Sequence, residues 1–152
     1  MGSALGKAQD GASVNAPAVV GPNYISDNTT SVILLATPDV DSKGWRIAGT
    51  LSPQTEEREI NRVIQAFNAS GKPPKEKIVY YGLNAVDKSP DEQVAKLAGH
   101  GIAASVYRGG MFEWLLLREV FGAESYAVTS VSAGDGASEL GPVNPLDYLP
   151  RS

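Results

Sequence analysis

Apolar residues fall into short, separated blocks along the chain, and their spacing changes from block to block. Ser31–Thr37 (SVILLAT) is a continuous apolar run with a β-branched start and turn-forming neighbours, the pattern of a strand buried on both faces of a parallel sheet. Pro38-Asp39 breaks it, and Trp45–Leu51 (WRIAGTL) reads as a second strand. From Ser52-Pro53 the period lengthens: Ile60, Val63, Ile64 and Phe67 recur at helical spacing, and Pro53 suits the first helical position. Glu56, Glu57 and Glu59 complement the positive end of that helix, and Gly71 with Pro73-Pro74 ends it. Lys77–Tyr81 (KIVYY) is a third strand, followed by the loop Gly82–Lys88 (GLNAVDK). Ser89-Pro90-Asp91-Glu92 then reads as a capping box, with the Ser89 hydroxyl accepting from the Glu92 amide and Glu92 reaching back. That helix turns Val94, Leu97 and Ala98 inward and stops at Gly99 or Gly101. Ile102–Tyr107 (IAASVY) is a fourth strand, Arg108-Gly109-Gly110 turns the chain, and Met111–Phe121 (MFEWLLLREVF) is a last helix stopped by Gly122.

Strands that alternate with helices predict an α/β domain with a mainly parallel sheet flanked by helices and right-handed crossovers. There is no internal repeat. Residues 1–21 are small, polar and aperiodic, and are expected to form a disordered N-terminal tail. Residues 22–122 form the domain. Residues 123–152 read as a mostly flexible C-terminal tail, within which Pro145–Leu149 (PLDYL) carries large side chains that could pack back on the domain.

Composition narrows the chemistry. The 152 residues contain no cysteine and one histidine, His100. Disulfides, thiolate metal sites, iron–sulfur clusters and cysteine nucleophiles are excluded within these residues, and so is a multi-histidine zinc site. No metal and no cofactor is expected. A net charge of −4 argues against nonspecific nucleic-acid binding. The longest apolar runs, Val32–Ala36 and Trp114–Leu117, fall far short of the roughly 20 residues a membrane span needs. No basic-then-apolar leader opens the chain, so a cytoplasmic location is expected and the sequons at Asn28 and Asn68 read as chance matches. Gly2 follows Met1 and is a candidate myristoylation site, although Gly6 stands where the usual pattern has Ser or Thr. The competing reading is an arbitrary flexible terminus. Membrane association is expected only if Gly2 carries a lipid, and a single acyl chain with no basic cluster beside it would hold weakly.

The order KIVYY, GLNAVDK, SPDEQVAKLAG, IAASVY and GGMFEW over Lys77–Gly122 resembles the rhodanese-like family. Upstream, VILLAT and RIAGTL are similar to the family's earlier strands, so the likeness spans about residues 30–122. The chain looks most similar to the small single-domain members of protists and large viruses, which share a YGxN loop and a GGMFEWLLL helix start. The resemblance implies sulfur transfer through a persulfide on a loop cysteine, stabilised by loop amides and the dipole of the following helix. Here the loop equivalent is Gly82, Leu83, Asn84, Ala85, Val86, Asp87, Lys88 and Ser89, and none of these is cysteine. Counting from the strand puts the missing thiol at Gly82; counting back from the helix puts it at Asn84 or Ala85. Ser89 does not replace it, because a hydroxyl is a poor nucleophile without a base and this one is better used as a cap.

No catalytic residue is therefore assigned. The resemblance without the thiol leads to a catalytically inactive rhodanese-like domain acting as a protein-interaction or regulatory module with an unknown protein partner. The alternative is a thiosulfate or persulfide sulfurtransferase whose loop cysteine is replaced in this chain, with Ala85 the suspect. The amides of the 82–89 loop, near Lys88, are a candidate site for a small anion, against which Asp87 and Asp91 contribute opposing charge. The competing reading is a plain strand-to-helix connection. Arg108 is a candidate neighbour of that site, unless it simply faces solvent. His100 reads as a helix-terminal cation complementing the dipole, Met111 and Trp114 as core, and Trp45 as half-buried.

Overall fold

The computed structural model describes residues 18–27, 32–131 and 143–150. Four parallel strands form the central sheet: β1 (Ala18–Val20), β2 (Val32–Ala36), β4 (Lys77–Tyr81) and β5 (Ser105–Tyr107), in the order β1-β5-β4-β2. The register sets Leu34 opposite Val79 and Val79 opposite Ser105. A separate antiparallel pair joins β3 (Trp45–Ile47) to β6 (Val128–Ser130). Among the described residues, five helices connect the strands: α1 (Pro22–Asp27), α2 (Pro38–Ser42), α3 (Pro53–Ser70), α4 (Ser89–Ala98) and α5 (Gly110–Phe121). A short 3-10 helix, Pro145–Tyr148, follows. The molecule is thus an α/β domain with a mostly parallel sheet flanked by helices, as the alternating pattern predicts.

The two faces of the sheet bury different sets of side chains. Ile33, Leu35, Ile78, Tyr80 and Val106 pack against Val63 of α3 and Val94 and Leu97 of α4. Leu34, Ala36, Val79, Tyr81 and Tyr107 pack against Met111, Trp114 and Leu115 of α5, Ile47 and Val128 of the antiparallel pair, and Tyr148. Successive strand residues alternate between these clusters, as the two-residue side-chain period requires. Met111 and Trp114 are core, as expected, and the Trp114 indole donates to the Ala127 carbonyl at 3.0 Å. Trp45 is half-buried at the edge of the second cluster.

Several expectations are corrected. Ala18–Val20, placed in the N-terminal tail, forms β1; its three residues are ordered by pairing with Ser105–Tyr107, far away in sequence. Trp45–Leu51 is not one strand. It breaks after Ile47, Gly49 turns with φ +93°, and Thr50 bridges Leu34 in parallel instead. The stretch after residue 123 is not uniformly irregular, because Val128–Ser130 pairs with β3. Ile102 is buried but lies before β5. The 145–149 segment does pack on the domain through Tyr148, which is 2% exposed. α3 starts at Pro53 and ends at Gly71 as expected, Gly71 at φ +72°, and the structure adds a cap in which the Ser52 hydroxyl accepts from the Thr55 amide. No helix among the described residues is long and apolar enough to cross a membrane.

Candidate functional site

The loop after β4 is shaped by two of its own side chains. Asp87 folds back so that Oδ2 accepts from the Leu83 amide and Oδ1 from the Ser89 amide, both at 2.9 Å. Asn84 is buried; its Oδ1 accepts from the Val86 amide at 3.1 Å and its Nδ2 donates to the Tyr148 carbonyl at 3.0 Å. A Cβ on Gly82 would run into the Asp87 carboxylate, which would have to leave the place it holds in the loop. The loop also caps α5: the carbonyls of Gly82 and Leu83 accept from the amides of Met111 and Phe112 at 3.1 and 2.9 Å. Gly110 sits against this contact at φ +67°, and a Cβ on it would come within 2.6 Å of the Gly82 oxygen. That close approach gives the second glycine of the Gly-Gly pair a physical reason.

The expected capping box is not formed. Lys88 occupies the cap position of α4 and no side chain caps it; Asp87 takes the Ser89 amide instead. The helix starts one residue earlier than the box requires: the Lys88 carbonyl accepts from the Asp91 and Glu92 amides at 3.1 and 3.4 Å, so Ser89 is the first helical residue rather than the cap.

A strand-to-helix loop with converging amides suits an anion, and this loop carries its own in Asp87. The amides of Leu83 and Ser89 are occupied by it. Ala85, Val86 and Lys88 lie on the surface. Arg108 makes a bidentate pair with Asp91, at 2.8 and 3.2 Å, tying the end of β5 to the first turn of α4. Its charge is thereby committed within the fold. Of the residues singled out in sequence, Leu83, Asn84, Val86, Asp87 and Ser89 form one hydrogen-bonded cluster. Gly2 and Asn28 lie outside the described residues.

Beside the loop lies a groove of about 560 Å³ shared with the 3-10 helix. Val86, Leu146 and Leu149 line it and are exposed to solvent, 58%, 63% and 48% respectively. Asp39, Lys43 and Asp147 add charge, and the Lys43 ammonium stands 6.0 Å from the centre of the Tyr148 ring. Burial, with a smaller push from Asp147, raises the Tyr148 phenol to about 12.

A second cavity, also of about 560 Å³, opens between α3, α4 and the carboxyl end of β2. Sequence reading did not find it. Thr37 and Asp41 line it from the segment after β2, Glu56 from the first turn of α3, and Tyr80 from β4. Burial and nearby Asp41 push the Glu56 carboxyl up to about 7, against a smaller lowering by Arg46. Burial, followed by the charge of Glu56, holds the Tyr80 phenol well above its usual range. His100, beyond the end of α4, also lines the cavity, so its place is not only at a helix end. A signal was present in sequence: Glu56 precedes Ile60 by four positions and so shares the apolar face of α3.

No protein-family model, curated protein or solved structure matches this chain.

Proposed function

We propose that the chain is a non-catalytic rhodanese-like domain that acts by binding a protein partner at the groove between the 82–89 loop and the Pro145–Tyr148 helix. The observation that carries this reading is Asp87. A persulfide-bearing loop presents its amides to an external or covalently held anion, whereas here a fixed carboxylate fills that place and no thiol exists in the chain. The order of strand, loop, helix, strand and Gly-Gly helix start on which the resemblance rests is present as β4, the loop, α4, β5 and α5. The groove supplies exposed apolar side chains at the carboxyl ends of parallel strands, where partners of open α/β sheets bind.

The test is site-specific photo-crosslinking in cells of the source. A photoreactive residue at Val86 or Leu149 should trap one discrete protein, and the same group at exposed Lys75 should not. Absence of a specific adduct at both groove positions overturns the reading. Sulfur transfer from thiosulfate to cyanide by a folded Ala85→Cys variant would instead support the sulfurtransferase alternative. We expect none, because Ala85 is exposed and the Leu83 and Ser89 amides meet at Asp87 rather than at residue 85.

A further inference from the structure

We propose that the cavity between α3 and α4 is a binding site for a small molecule carrying one ammonium group on an apolar body. Three observations on separate elements converge on it.

The first is an unsatisfied buried hydroxyl. Thr37 occupies the cap position of α2 but makes no capping hydrogen bond. The residue is 1% exposed, and its Oγ1 has no partner. A buried polar atom without a partner costs about 1–3 kcal/mol, so a ligand N–H that reached it would recover that cost.

The second is charge. Asp41, Glu56 and Glu57 line the same end. Arg46 is committed to Asp41 at 2.7 Å, and no salt bridge among the described residues takes Glu56 or Glu57. The groups facing Glu56 from other elements are Asp41 of α2, Arg46 of β3 and Tyr80 of β4. Burial keeps the Glu56 carboxyl protonated to about neutral pH. An arriving ammonium would ionise it and form a charge-assisted hydrogen bond out of bulk water.

The third is the remaining wall. Ile60, Ile64 and Leu97 supply apolar surface, and the far side carries Lys96 and His100. The Lys96 ammonium on that side disfavours a second ammonium, so the site should select monoamines over diamines. Its volume falls within the usual range for small-molecule sites, about 300–1,000 Å³.

The probes are butylamine, cyclohexylmethylamine and 2-phenylethylamine, titrated at millimolar concentration into the isotope-labelled full chain. The comparators are 2-phenylethanol, 3-phenylpropionate and 1,4-diaminobutane. At least one monoamine should give saturable amide shifts at Thr37, Glu56, Ile64 and Leu97. Glu56→Gln should weaken that binding about tenfold or more, the loss of one charge-assisted contact. Thr37→Val should weaken it several-fold while the free chain stays folded. No saturable shift with any of the three amines overturns the proposal. So does equal or tighter binding of the alcohol, the carboxylate or the diamine, or unchanged affinity in Glu56→Gln.

Discussion

Asp87→Ala removes the carboxylate that closes the loop after β4. Two hydrogen bonds of 2.9 Å disappear, and the amides of Leu83 and Ser89 lose their acceptor. Hydrogen bonds to a charged group contribute about 1.5–3 kcal/mol each. Asp87 is only partly buried, so water recovers some of this, and the expected loss is about 2–3 kcal/mol in total. At roughly 2–4 °C per kcal/mol for a chain of this size, the melting temperature should fall by about 4–12 °C. The effect should reach α5, because the same loop caps it through the carbonyls of Gly82 and Leu83. Near-ultraviolet circular dichroism of Trp114, buried one turn further along, reports that. The variant also acquires what the native loop lacks, a vacant pair of amides. Millimolar sulfate or phosphate should therefore raise the melting temperature of Asp87→Ala and leave the native chain unmoved. An anion at a hundred times its dissociation constant would return about 2.7 kcal/mol. A loss below about 0.5 kcal/mol, within the range of an ordinary surface change, would refute the role given to Asp87. An equal anion response in the native chain would show that its amides are not occupied.

Glu56 makes stability depend on pH in a specified direction. Its folded pKa, about 7, lies above the ordinary 4.5, so between these values the native state binds more protons than the unfolded chain. Stability should be greatest below pH 4.5 as far as this group is concerned, fall as pH rises to about 7, and stay level above. The full shift corresponds to about 3 kcal/mol, and solvent screening at a partly exposed group reduces this to about 1–2. Urea unfolding of the native chain and Glu56→Gln at pH 5 and pH 8 measures it, and parallel pH dependence in the two would refute it. Gly110→Ala should destabilise by more than about 3 kcal/mol, since it adds a Cβ 2.6 Å from a backbone oxygen at φ +67°, and the three nearest atoms all belong to backbone. Near-native stability of that variant would show that the loop and α5 are not in close contact. Tyr81→Phe should cost about 2–3 kcal/mol. It orphans the buried Ile47 amide, which donates to the phenol oxygen at 2.9 Å, and removes the contact to the Thr50 hydroxyl 2.7 Å away, which keeps its own bond to the Ile47 carbonyl. Equilibrium unfolding checks it, and a loss under 1 kcal/mol would show that water reaches the site.

What could be read from sequence follows the range over which each element is stabilised. The helix Pro53–Ser70 and the strand Lys77–Tyr81 were legible because their signals are local: an apolar stripe, a proline at the first helical position, a terminal glycine, a short apolar run. β1 and β6 were not, because three residues carry no period, and each is defined by a partner 80 or more positions away. The same division runs through the two sites. The 82–89 loop was found because a strand-to-helix connection marks itself, yet Asp87 was weighed only as charge opposing an anion. The structure reverses that sense: the opposing charge is the anion, and it takes the Ser89 amide that the local motif assigns to Glu92. The cavity was missed for a different reason. Its polar end draws Thr37 and Asp41, Glu56, and Tyr80 from three segments, and no spacing connects those segments. Only Glu56 could have been singled out, as an ionisable residue on the apolar stripe of its own helix. Local helix-dipole reasoning gave that acid an explanation, and the explanation concealed its burial. An acidic residue in a first turn therefore calls for a second question, namely which face of the helix it occupies. The dipole accounts for its charge on the solvent face, whereas on the core face its desolvation must be offset by a neighbour or a ligand.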